Sequence, residues 1–262
     1  MKIYVAIASA VLLLAAPAYA DSPFDGTWKA DIKSAQLPTK PDVISLKGGV
    51  YRCASCTPAW SVPADGAFHP VKGLSYTDAA SIRIVDAKTV QETDKLKGKI
   101  VSRSTTRLSA DGKTAAIHWI DTSSPDGKAS SGDVVQQRVA PAAAGSHALS
   151  GSWRTTKVAN ISDQALMTSF ALAGDMFSMH TPQGYSYSAK LGGAAVPVAG
   201  DPAGTMAKVR RVSASAVEET DVRDGKAVSV MTFTAAPNHK ILNVESRNLK
   251  QGTTLRYTMI RQ

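Results

Sequence analysis

Two cysteines are the chain's only sulfur nucleophiles, and they stand close together as Cys53-Ala54-Ser55-Cys56. A pair at this spacing can carry thiol–disulfide exchange, hold half of a zinc site, or anchor a haem. Haem attachment needs a histidine directly after the second cysteine, and Thr57 stands there. Thioredoxin-like chemistry wants the first cysteine at a helix N-terminus, where its pKa falls. Here the motif follows a strand-turn-strand run over 43–51 and precedes Pro58. Zinc wants four ligands, and only the distant His69 and His118 could help. In an oxidising compartment a local disulfide between Cys53 and Cys56 is therefore expected, with a redox or metal role as the alternative.

A second chemistry-bearing pattern occurs twice. Glu92-Thr93-Asp94 and Glu219-Thr220-Asp221 each put two carboxylates on one face of a strand. Such a pair could bind a cation or transfer protons. The plainer expectation is an ionic ladder with Lys97, Lys99, Arg223 or Lys226, just beyond the turn. The five histidines, His69, His118, His147, His180 and His239, are scattered. Nucleophile-elbow, zinc-protease, P-loop and dinucleotide fingerprints are absent. The sequence assigns no catalytic residue, no cofactor and no metal ligand set.

The elements that position these residues come as a repeat. Phe24-Asp25-Gly26-Thr27-Trp28-Lys29 returns as Leu149-Ser150-Gly151-Ser152-Trp153-Arg154. The octet Gly66 to Gly73 returns as Gly193 to Gly200, and both carboxylate triplets are followed by Gly-Lys, at Gly98-Lys99 and Gly225-Lys226. Runs rich in Val, Ile and Thr predict strands over 81–86, 89–96, 100–109 and 114–123. The second copy predicts them over 205–213, 216–223, 227–235, 241–249 and 253–261. Asp111-Gly112 and Asp224-Gly225 mark hairpin turns. Only 160–167 has modest helical character. The expected layout is a signal peptide over 1–20, a β module over 21–140, a linker over 141–147 and a second β module over 148–262. The class is all-β: two tandem antiparallel barrel modules, or alternatively two β-sandwiches.

Gly26-x-Trp28 and Gly151-x-Trp153 open the first strand of each copy, and Arg138 and Arg261 fall in the last. This pattern resembles the lipocalin-like (calycin) signature, and the whole is similar to uncharacterised exported two-repeat bacterial proteins. The resemblance implies small barrels in which an arginine covers the indole and plugs one end. Trp28, Arg138, Trp153 and Arg261 are then structural. It also implies an interior just wide enough for side chains or one small ligand.

Lys2, the apolar run 5–16 and Ala18-Tyr19-Ala20 compose an export signal, so a periplasmic or secreted protein is expected. The net charge of +9 is spread along the chain without a basic block, which argues against a nucleic-acid partner. Aromatic content of 6% argues against a barrel inserted in a membrane. The expected function is binding of a small apolar or amphipathic ligand within the modules. The alternatives are an envelope structural or interaction protein with filled barrels, and a redox or metal role at Cys53 and Cys56.

Overall fold

The computed structural model describes residues 22–262, so the signal segment expected over 1–20 lies outside the described residues. In the first half the strands are β1 (Gly26–Gln36), β2 (Asp42–Lys47), β3 (Val50–Cys53), β4 (Trp60–Pro63) and β5 (Asp65–Pro70). They continue with β6 (Ala79–Asp86), β7 (Thr89–Leu96), β8 (Lys99–Leu108), β9 (Thr114–Asp121) and β10 (Ser130–Ala140). The second half opens with β11 (Gly151–Ala159), a short helix α1 (Asp163–Leu166), β12 (Met167–Ala173), β13 (Met176–His180) and β14 (Ser186–Lys190). It closes with β15 (Val196–Pro197), β16 (Met206–Ser213), β17 (Ala216–Arg223), β18 (Lys226–Ala235), β19 (Ile241–Asn248) and β20 (Thr253–Arg261). The two halves correspond strand for strand.

These strands form two nearly closed, ten-stranded antiparallel barrel-like sheets, an architecture that fits lipocalin-like barrels in general. The sheets are not bounded as the repeats are. β11 pairs with β2 and β10, whereas β1 pairs with β12 and β20. Each copy's opening strand thus occupies the place of the other's. One barrel is contiguous in sequence, running from β2 through β11. The other is composite, built from β12 to β20 and completed by β1.

Chain connectivity explains the exchange. Residues 141–150, expected in part to link two modules, instead turn β10 directly back into its hairpin neighbour β11. Closing so short a loop costs little entropy. After β1 the chain runs Leu37-Pro38-Thr39-Lys40-Pro41. Two fixed proline φ angles favour an extended crossing over a tight turn. Helix α1 follows β11 and is anchored by a Lys29–Asp163 ion pair at 3.0 Å.

Burial follows the exchange. Phe24 and Trp28 pack with Phe170, Phe177, Phe233, Leu242 and Met259 in the composite barrel. Leu149 and Trp153 pack with Leu46, Tyr51, Val62, Ile82 and Val90 in the contiguous one. Phe177 stacks on Phe170 at 5.4 Å and meets Phe24 edge-on at 6.0 Å, so aromatic rings fill the composite interior. In the contiguous barrel the internal cavity is about 40 Å³, room for about three waters.

One end of each barrel is sealed by an indole and a guanidinium on directly opposed residues. Trp28 faces Arg261 across β1 and β20, and Trp153 faces Arg138 across β10 and β11. The sequence pattern implies that each indole meets the arginine of its own copy. Strand exchange gives Trp28 the other copy's arginine, and the same holds for Trp153. The guanidinium carbon lies 4.2 Å from the Trp153 ring centre and 5.2 Å from that of Trp28. Both indole N–H groups donate to the carbonyl four residues back, Phe24 at 2.7 Å and Leu149 at 2.9 Å. Arg138 also donates to the carbonyls of Gly112, Ala148 and Ser150, and Arg261 to that of Asp25.

Gly151 adopts φ +135°, and a Cβ there would lie 2.7 Å from both the Ala140 oxygen and an Arg138 nitrogen. Gly151→Ala should therefore cost about 3 kcal/mol or more, combining backbone strain with a displaced arginine. Gly112 also has positive φ but open space around it, so Gly112→Ala should cost only about 1 kcal/mol. Urea-denaturation midpoints of the two variants check the difference.

Candidate functional site

Residues two apart on a strand share a face, and in β7 and β17 that face turns inward. Val90 and Val217 are buried, and Glu92 with Asp94, and Glu219 with Asp221, continue the same inward rows. The ionic ladder expected for these carboxylates is absent. Among the described residues no ion pair joins them to Lys97, Lys99, Arg223 or Lys226. The lysines extend from turns and strand ends and Arg223 is turned to Thr205 and Tyr76, whereas the carboxylates follow the valines into the barrel.

Instead each aspartate is held by a serine opposite it on the next strand. Ser102 donates to Asp94 at 2.7 Å and Ser229 to Asp221 at 2.6 Å. Tyr187 donates to Glu219 Oε2 at 2.5 Å. Glu219 is only 4% exposed. Burial, reinforced by the Asp221 charge, pushes its pKa up to about 8 against an ordinary 4.5. Burial and the Asp94 charge push Glu92 up to about 8 as well. Both Tyr51 and Tyr187 are raised, first by burial and then by these same carboxylates.

Outside the plugged ends, the seam between the barrels opens into two clefts of about 500 and 480 Å³. They are reciprocal. The larger has Glu219 and Asp221 of the composite barrel facing Val101 and Ser102 of the contiguous one. The smaller has Glu92 and Asp94 of the contiguous barrel with Val228 and Ser229 of the composite one. Repeat-equivalent residues therefore supply equivalent walls, and Tyr76, Thr77 and Arg223 line both spaces. Arg223 spans the seam, donating to Thr205 Oγ1 and to the Tyr76 hydroxyl, each at 2.7 Å.

The seam also has an apolar lock. Gly184 and Gly200 of the composite barrel receive Pro125 of the contiguous barrel, and a Cβ on Gly200 would lie 2.4 Å from the Pro125 ring. Beside it Gln183 donates to Ser130 at 3.0 Å. Gly73, the counterpart of Gly200 in the other copy, receives Pro58 of its own barrel instead, so the lock across the seam is not repeated there.

The clefts differ in their outer walls. Asp121 and Asp201 add acid to the larger, while Lys250, Asn248, Trp60 and Cys56 line the smaller. Cys56 is bonded to Cys53, with Cα atoms 5.4 Å apart. Oxidised, the pair offers no thiolate to a substrate. The other residues singled out from sequence, Trp28, Arg138, Trp153 and Arg261, lie at the plugged ends and line neither cleft. Among the described residues no three His, Cys, Asp or Glu side chains are grouped to hold a metal ion. No helix among them is long and apolar enough to cross a membrane. The chain matches no family model, no curated protein and no solved structure.

Two outcomes are expected. A carboxyl with a folded pKa near 8 and an unfolded value near 4.5 retains its proton only in the folded protein through that interval. Its contribution to stability is full below about pH 4.5, declines as pH rises, and is lost by about pH 8. Glu219→Gln should flatten that slope and raise the melting temperature at pH 9 more than at pH 5, as scanning calorimetry would show. Replacing both cysteines by serine should cost about 2 kcal/mol, since so small a loop constrains the unfolded chain little. Matched denaturant titrations would read that loss.

Proposed function

We propose that this is an exported, lipocalin-like small-ligand-binding protein whose ligand lies between its two barrels rather than inside either. One observation carries the reading. The contiguous barrel's interior leaves about 40 Å³, while the seam leaves two clefts of about 500 and 480 Å³, within the usual range for small-molecule sites. Each cleft combines apolar wall with a few convergent polar groups, and residues of both barrels build both. The disulfide supports the same setting, because such bonds persist in oxidising compartments.

Native mass spectrometry of protein purified from its own host tests this. A retained small mass is expected, and Val101→Trp, which fills the larger cleft, should remove the mass bound there while leaving the melting temperature within a few degrees. Ligand-free spectra from the host, with no binding across lipid and metabolite panels, would sink the proposal. The packed interiors favour one other reading, a structural or interaction protein of the envelope. Ligand-free protein that cross-links in cells to a single macromolecular partner would establish that reading instead.

A further inference from the structure

Within the cleft reading above, on which this inference rests, the larger cleft combines a carboxyl pair that no protein cation neutralises with walls more apolar than those of its reciprocal partner. Glu219 lines the cleft although it is 4% exposed. Its Oε2 accepts from Tyr187, and among the described residues no donor reaches Oε1. Asp221, two residues on, accepts only from Ser229 in the same set. No described lysine, arginine or histidine lies within ion-pair distance of either carboxyl. The one cation of the cleft wall, Arg223, is turned to Thr205 and Tyr76.

Every other group facing the pair is acidic or neutral. Tyr187 comes from β14, Tyr257 from β20 and Ser229 from β18. Asp121, Asp201 and Tyr185 stand on the outer walls. A buried carboxylate pair without a protein cation is unfavourable, so a proton neutralises one of its two charges in the free protein, consistent with the raised pKa of Glu219. The remaining walls are apolar and soft, with Met179, Met231, Val198 and Val101.

We propose that the larger cleft seats an organic cation, an ammonium head on an apolar body, with the ammonium held on the Glu219–Asp221 carboxyl pair. The head replaces the proton, and the thioether and valine walls take the body. Binding therefore releases a proton. The smaller cleft holds the equivalent Glu92–Asp94 pair, but its walls carry Asn248, Lys250 and Gln251 and no methionine, and so suit the apolar body less well.

Isothermal titration of the full-length mature protein with octylammonium, octanoate and 1-octanol tests the proposal, in two buffers of different protonation enthalpy. Octylammonium should bind best and release about one proton at neutral pH. Its Kd should tighten by close to tenfold per pH unit from about pH 6 to pH 8. Glu219→Gln should abolish proton release and weaken binding about tenfold or more, and Asp221→Asn should weaken it too. Glu92→Gln, in the smaller cleft, should change nothing. Circular dichroism of each variant separates lost binding from lost fold. Octanoate or octanol binding as tightly as octylammonium, with Val101→Trp blocking it, would overturn the cation assignment while leaving the cleft reading intact. So would octylammonium binding without proton release. No probe binding at millimolar concentration would overturn both.

Discussion

The indole–guanidinium contact at the plugged end is the constraint on which the rest depends. An arginine stacked over a buried indole contributes up to about 2 kcal/mol, but only if its remaining N–H groups find acceptors. Arg138 finds three carbonyls, and the glycine two residues before Trp153 clears the space it needs. The plug thereby joins a first strand to a last strand. In a chain with two copies of each, the plug alone does not dictate which first strand meets which last one. The short return from β10 to β11 and the proline-bounded crossing after β1 decide that.

With one end sealed and the interiors packed, inward-facing polar residues have room only near the open ends. Val90 and Val217 lie deep, and Asp94 and Asp221 follow toward the seam, where serines of the next strands meet them. The seam then shapes the usable space. Pro125 in its glycine notch and Arg223 on Tyr76 hold the barrels together, and two open clefts remain beside those contacts. The candidate site is a property of the pair of barrels, since neither cleft has walls from one alone.

Much of the architecture was legible in the sequence. Strand boundaries from 79 to 121 and from 206 to 261 fall within two residues of their expected places, because β-branched runs broken by Asp-Gly and Gly-Lys turns are strong local signals. The disulfide was legible in the Cys53-x-x-Cys56 spacing. The strand exchange was not legible, because Gly-x-Trp and the terminal arginine recur identically in both copies and carry no information about pairing. The surroundings of the carboxylates differ from the expected ladder for a definite reason. Lysines close in sequence suggested partners, whereas Val90-x-Glu92-x-Asp94 and Val217-x-Glu219-x-Asp221 already placed the acids in register with a core valine. The clefts left no local signature, since residues such as Tyr76 and Arg223 meet only through the packing of distant segments.

The exchange has a consequence for the order of assembly. All ten strands of the contiguous barrel lie between residues 42 and 159, so that barrel can close while the C-terminal half is still being made. The composite barrel cannot. Its β1 comes earliest among the strands yet must wait for β12 to supply one neighbour and for β20, the latest strand, to supply the other. Until then β1 keeps one open edge beside Trp28, vulnerable to adhesion by other chains. A holding factor acting on nascent protein would find its target there.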